Sequence, residues 1–553
     1  VSASRRELFF LAIGSAVLFG LGLGARDLWN PNEPIYGEAV REMAERGEWF
    51  VPYVNGVVFA EKPILFYWLA LLASKLLGGV SELSLRLPSF FAGIATVLGT
   101  YVLARPYAGR ARALVSAVFC ATLFGVFWNA RFVQMDILVT AGTLWVVIAV
   151  TRVVDHQRAR LPGWILAGAI AGCGFAAKGP VAWICPGLAL FGYLVATRRL
   201  REIVRWEVLA AAAACLAVAS PWYLLLLKQG RADVVVEALF RQNVERFVNP
   251  WDHEAPFWYY LQYFWVDMAP WAFLVPLAVR LERKSVGERR LALLSWVWIA
   301  TIVLFFSLSG SKRSPYILPI APAVALLAGE VALSFVGGRL DLKRKAWLLG
   351  ILAAICGGFV VGGAVILVGA LLRFHDAGAI PVAFLGLVTF VAGAFLAFDL
   401  LRPRRRVAAP LSLAVATVAV YLAAGGMTLP ALDAYKSARP LCEQAVRLVR
   451  PGDDVVSYAF WKWRAEYSYY LGRPITNLTD PEALREAWGG SRRIVLFVEG
   501  ARLESARQVI GDAAPALTGL VGRGSIYVFT NRQPSAAGQD EPAARAISTV
   551  GTR

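Results

Sequence analysis

Charge is scarce in this chain and unevenly divided. Asp, Glu, Lys and Arg make up 17% of its 553 residues, and 56 cations stand against 38 acids for a formal net charge of +18. That surplus does not denote a nucleic-acid partner, because the basic residues recur in alternate loops instead of gathering on one soluble module. Of six cysteines, Cys120, Cys173, Cys185, Cys215 and Cys356 fall inside apolar runs, where packing is their ordinary role. Cys442 alone lies in the more polar C-terminal region, so no disulfide is expected there. With three histidines in the chain, each is more readily a structural hydrogen-bonding residue than a metal ligand. No internal repeat of the kind that builds many transporters is visible.

What fills the chain is apolar sequence: 58% hydrophobic residues and a mean hydropathy of +0.57. Long apolar runs recur from Leu8 to Leu422, and the reading is a polytopic α-helical membrane protein with about thirteen transmembrane helices of roughly 20 residues each. The expected cores are 8–25, 86–104, 113–128, 136–151, 162–177, 180–196, 207–226, 257–279, 291–308, 315–335, 347–371, 380–400 and 407–427. Arg5 and Arg6 precede the first, but Gly24-Ala-Arg-Asp lacks a small-x-small cleavage pattern, so a retained helix is expected. Arginine and lysine cluster at 105–112, 152–160, 198–205, 280–290, 339–345 and 402–406, which the positive-inside rule places on the cytoplasmic side together with the N-terminus. The chain is thus expected in a bacterial inner membrane, multi-pass, with everything after 428 periplasmic. Residues 1–428 form the transmembrane domain, including a first periplasmic loop 26–85 with juxtamembrane helices. Residues 429–533 form a small α/β domain with strands near 454, 493 and 525, and 534–553 a disordered tail.

The polar constellations all fall in the outward loops. Asn30-Pro-Asn-Glu-Pro-Ile-Tyr opens a helix with Asn32 as N-cap, Pro34 in its first turn and Gly47 as its stop. A capped amphipathic helix on the membrane accounts for that segment, but not for Glu61-Lys62-Pro63 after it. Arg131 to Asp136 puts a carboxylate at an outer helix mouth, where an acid is costly unless paired or used. Lys178 sits between two spans, where snorkelling to headgroups is the plain alternative. Arg246, His253, Lys312 and Tyr316 complete the outward set. Carboxylates beside Lys62, Lys178, Arg246 and Lys312 suit a site that holds a phosphate leaving group while a carboxylate takes a hydroxyl proton. Nucleotides are scarce outside the cytoplasm, so no nucleotide cofactor is expected and the activated substrate is lipid-borne.

The ordered set Asn-Glu-x-x-Tyr, Arg-Glu-Met, Gly-Glu-Trp-Phe-Val-Pro, Glu61-Lys62-Pro63, Asp136, Lys178-Gly-Pro, Arg246-Phe, His253-x-x-Pro-Phe-Trp-Tyr-Tyr and Ser-Lys-Arg-Ser-Pro-Tyr-Ile-Leu-Pro resembles the bacterial aminoarabinose transferase family. These are GT-C glycosyltransferases related to protein O-mannosyltransferases. The resemblance covers most of the chain. It implies a GT-C fold and inverting transfer of a sugar from a polyprenyl phosphate-linked donor to a lipid, glycan or protein acceptor on the periplasmic face. It implies that Lys62, Lys178 and Arg246 hold the donor phosphate with Tyr316 nearby, and that Tyr36, Tyr67 and Lys312 bind substrate. It also implies a divalent metal ion at Glu61 and His253. One departure is plain: Asn32-Glu33 stands where many relatives carry Asp-Glu, and an amide is no base. The base is then Glu33 or Asp136. Two other readings stay open, a polyprenyl-phosphate-sugar flippase and a membrane sensor with the C-terminal domain as receptor.

Overall fold

In the computed structural model, residues 2–245, 247, 252–373, 378–460, 464–522 and 524–531 are described. The chain divides into two compact units: residues 1–23, 60–69 and 86–431 form one, and residues 24–59, 70–85 and 432 onward form the other. The first outward loop was expected to belong with 1–428; most of it groups with the C-terminal domain. The reason lies in its polar residues, which find their partners within that second unit. The expected tail 534–553 lies outside the described residues.

The first unit is helical. Among the described residues nine helices are long and apolar enough to cross a bilayer: 82–121, 136–154, 160–178, 206–228, 286–308, 314–336, 342–372, 379–401 and 406–431. The stretch Glu82–Ala121 holds two helices, as expected for 86–104 and 113–128, separated by a kink at Gly109, whose φ of 79° suits a residue without a Cβ. Three expected spans, 8–25, 180–196 and 257–279, take other forms. The 257–279 run splits into helix Tyr259–Asp267 and the 3-10 segment Trp271–Ala278, with Pro270, which lacks an N–H, between them. Val181–Ala196 is a shorter apolar helix, and the first helix is Ser2–Gly20. Buried side chains from 14 of these and neighbouring segments make one continuous core, with Trp271, Trp298 and Tyr101 among its largest members.

Close packing in this unit depends on small residues. A Cβ on Gly168 would lie 2.0 Å from the carbonyl oxygen of Ala211, and one on Gly172 would lie 2.7 Å from that of Cys215. Helix Arg160–Lys178 therefore lies backbone to backbone against Trp206–Lys228 along a Gly-x-x-x-Gly stripe.

The second unit combines helix Asn32–Arg46, the hairpin β1 (Tyr53–Val54) and β2 (Val57–Val58), and a five-stranded mixed sheet. The sheet strands are β3 (Asp454–Tyr458), β4 (Thr476–Leu478), β5 (Ile494–Glu499), β6 (Leu517–Val521) and β7 (Gly524–Thr530), in the order β4-β3-β5-β7-β6. The β3–β4 and β3–β5 pairs are parallel, while β5–β7 and β7–β6 are antiparallel. Central β5 reads Ile-Val-Leu-Phe-Val, apolar on both faces because helices cover both. Tyr467 belongs to its core, and Trp461 and Trp463 lie outside the described residues.

Candidate functional site

The centre of the first unit's candidate site is an ion pair. Asp136 is the first residue of helix Asp136–Val154, and Lys178 is the last of helix Arg160–Lys178. Each charge therefore complements the dipole of its own helix. The Lys178 ammonium donates to Asp136 Oδ1, and both side chains keep about an eighth of their surface exposed, at 13% and 12%. Lys178 Nζ also lies 5.2 Å from the centroid of the Tyr316 ring, within cation–π range. Tyr316 is held from behind by Phe306, with ring centroids 5.5 Å apart. The turn after Lys178 is tight. Gly179 has φ of 75° and comes within 3.5 Å, at an added Cβ, of the Asn243 side chain in the π-helical stretch Glu237–Glu245.

An apolar cavity of about 370 Å³ runs alongside. Its lining includes Leu65, Leu138, Trp145, Cys173 and Ala177. Leu138 is two residues from Asp136, Ala177 precedes Lys178, and Leu65 follows Lys62 by three, so the groove is lined by sequence neighbours of three of the residues expected to do chemistry. Lys62 Nζ donates to the carbonyl of Glu61 at 3.1 Å, and the Tyr67 ring is fully buried.

The other expected residues are placed differently. Arg246 lies outside the described residues. Lys312 is buried, and its ammonium donates to the carbonyls of Ala255, at 3.0 Å, and Ser309. Its backbone N–H donates to the His253 carbonyl at 2.9 Å, and Glu254 bridges Ser311. Lys312 thus ties two loops together, and burial lowers the pKa of its ammonium. His253 is exposed, with φ of 54°. Among the described residues no three His, Cys, Asp or Glu side chains cluster as metal ligands.

Glu33 and Tyr36 belong to the second unit and are buried there. The structure puts Pro31 at the cap position, with Asn32 as the first helical residue and no side-chain cap. Glu33 Oε2 accepts from the Trp29 backbone N–H at 3.1 Å and pairs with Arg26 Nη2 at 2.8 Å. Arg26 and Glu33 are 4% and 2% exposed, so this pair is sealed from solvent. Tyr36 packs on Phe59 with centroids 6.3 Å apart. Arg26, which completes this pair, carries a signal in the sequence too, since Arg26-Asp27 directly after a span is costly unless its charges are partnered.

Comparison with known proteins adds a second line of support. Residues 61–224 match the dolichyl-phosphate-mannose-protein mannosyltransferase family. The undecaprenyl phosphate-α-4-amino-4-deoxy-L-arabinose arabinosyl transferase of Aeromonas salmonicida is 32% identical over 402 residues, 71% of each chain. The protein of the same name from Pectobacterium carotovorum is 35% identical over 346 residues, so the match spans 60% of that relative's length and 60% of this chain. In three dimensions, ArnT from Cupriavidus metallidurans bound to undecaprenyl phosphate aligns with a TM-score of 0.76 at 19% identity, over 96% of this chain and 99% of that one. The oligosaccharyltransferase AglB from Archaeoglobus fulgidus, in complex with an inhibitory peptide and a dolichol-phosphate, aligns with a TM-score of 0.51 at 12% identity, over 91% and 70%.

Proposed function

Because this chain belongs to the undecaprenyl phosphate-aminoarabinose arabinosyl transferase family of GT-C membrane glycosyltransferases, we propose that it moves a sugar, with inversion, from an undecaprenyl phosphate-linked donor to an acceptor hydroxyl or phosphate at the outer membrane face. The observation that carries the reading is the Asp136–Lys178 pair at the edge of an apolar groove. The groove suits a polyprenyl chain, and the lysine suits the phosphate at its end.

The pair also supplies an order of events. A donor phosphate competes with Asp136 for the Lys178 ammonium. Once Lys178 turns to the phosphate, Asp136 is released to accept the proton of an acceptor hydroxyl. The acceptor oxygen then bonds to the sugar's anomeric carbon from the face opposite the departing group. The bond from that carbon to the phosphate oxygen breaks, and undecaprenyl phosphate leaves with the electron pair, stabilised by Lys178 and Lys62. Where the acceptor is already an ionised phosphate, it needs no base and Asp136 serves only to position Lys178. The arginine-rich loops favour a cytoplasmic N-terminus and a periplasmic C-terminal domain. The sugar is named by the relatives as 4-amino-4-deoxy-L-arabinose. For this chain it follows from comparing periplasmic lipids and glycans with and without the protein.

The direct test is transfer of a labelled lipid-linked sugar by purified protein. Lys178→Gln is expected to lower kcat by about 10²- to 10³-fold, as loss of a charge-stabilising donor does elsewhere. Undiminished transfer by a folded Lys178→Gln protein would remove the residue from the mechanism. Movement of lipid across vesicles without any product would instead favour a flippase.

A further inference from the structure

The arginines at the basic end of the spans divide into two groups. Several are spent on carboxylates, among them Arg112 and Arg283 on Glu330, Arg199 and Arg290 on Asp155, and Arg160 on Glu202 and Glu207. Among the rest, Arg105, Arg152 and Arg158 are brought together. Among the described residues none of the three forms an ion pair, and all three line a single cavity of about 1220 Å³. No carboxylate lines it. Its apolar wall comes from four helices, with Leu8, Val102, Trp145 and Leu166 among its members. Two polar atoms of its lining residues, Arg105 Nε and His156 Nε2, are buried without a hydrogen-bond partner.

Three cations beside apolar walls, with buried donors unsatisfied, call for an anion that brings its own apolar surface. Basic pockets between membrane helices hold anionic lipid headgroups by this combination of charge and apolar contact. We propose that the cavity binds an anionic phospholipid of the adjacent leaflet, its phosphate on Arg105, Arg152 and Arg158 and its acyl chains along Leu8, Trp145 and Leu166. The site is distinct from the Asp136–Lys178 pair. Both lie on helix Asp136–Val154, but the sixteen residues from Asp136 to Arg152 rise about 24 Å, which puts them at opposite faces of the bilayer.

The test uses the full-length protein, delipidated in detergent and offered phosphatidylglycerol or phosphatidylcholine, with bound lipid read by native mass spectrometry. Phosphatidylglycerol is expected to stay bound under activation that strips phosphatidylcholine. The double variant Arg152→Gln, Arg158→Gln is expected to retain it at least tenfold less, on the order of a few-fold per cation. A control pair in another basic segment, Lys343→Gln with Lys345→Gln, should retain it as the parent does. Equal retention by a folded Arg152/Arg158 variant overturns the proposal, as does equal binding of the two lipids. Displacement by inorganic phosphate alone also overturns it, since the site is then one for a free anion. The lipid comparison and the phosphate competition need no variant, so poor folding of the double variant leaves the proposal testable.

Discussion

Two carboxylates were candidates for the base, and their surroundings separate them. Glu33 is sealed into a pair with Arg26, while Asp136 shares Lys178 at a partly exposed helix mouth. Glu33→Gln is therefore expected to lower the melting temperature, because removing one partner of a buried pair costs about 3–5 kcal/mol. Asp136→Asn is expected to lower melting less than Glu33→Gln, since its pair keeps about an eighth of its side-chain surface exposed, and to lower turnover on a hydroxyl acceptor by 10²- to 10⁴-fold, the usual scale of a general base. A thermal melt and a transfer assay on the same two proteins check both outcomes. A third acid carries a pH signature. Asp433 accepts from the backbone N–H of Asp27 and from Trp29 Nε1, and burial pushes its pKa up to about 6 from an ordinary value of 3.8. A native pKa above the unfolded one means that the folded state binds the extra proton, so this contribution is complete below about pH 4 and is lost as pH rises through 6. Asp433→Asn should flatten that part of the stability profile, measured by chemical denaturation between pH 4 and 7.

Among the elements, helix Arg160–Lys178 connects packing to chemistry. Its glycine stripe seats it on Trp206–Lys228, and its last residue is the lysine of the candidate site. Gly168→Leu must push the two backbones apart, since even a Cβ would meet the Ala211 carbonyl oxygen at 2.0 Å. The expected result is a lower melting temperature together with a lower kcat, as Lys178 loses its register with Asp136. Loss of stability with full activity in the surviving folded fraction would separate the two. The spans themselves were legible because apolar length is a strong signal. The pairing of Asp136 with Lys178 was not, since it depends on which helix ends meet, and nothing in local sequence states that. Lys312 shows the same limit. Its position among outward cations suggested substrate, yet the fold directs its ammonium to the Ala255 and Ser309 carbonyls, a contact set by two loops 57 residues apart at their point of closure.

At the scale of the whole molecule, the division into two units does not follow the order of the chain. The strands and helices expected after residue 429 are present nearly where periodicity put them, but the compact unit also takes in residues 24–59 and 70–85. Hydropathy marks where a membrane span ends; it carries no information about which distant polar segment will satisfy the loop that follows. Within this unit the long-range bonds are specific. Tyr470 accepts from the Leu28 N–H at 2.6 Å, and Glu466 accepts from Asn30 Nδ2 at 3.0 Å. Arg439 pairs with Asp27 at 2.8 Å and with Glu82, and Asn55 accepts from the Ile475 N–H at 3.1 Å. Glu466 is 2% exposed and burial raises its pKa, so it is among the groups that depend most on their partners. A fragment beginning at residue 432 has its own sheet and two apolar core clusters, which should let it collapse. It would nonetheless leave Asp433, Arg439, Glu466 and Tyr470 without those partners, each missing contact costing about 1–3 kcal/mol. The fragment 432–533 is accordingly expected to melt well below the same region in the full-length protein, and to be cut by protease around 433–470 before its β5–β7 core. Supplying residues 24–59 in the same polypeptide through a flexible linker should recover part of the loss. If the bare fragment matched the full-length protein in melting temperature and protease resistance, the first loop would be a passenger on this unit and not part of its fold.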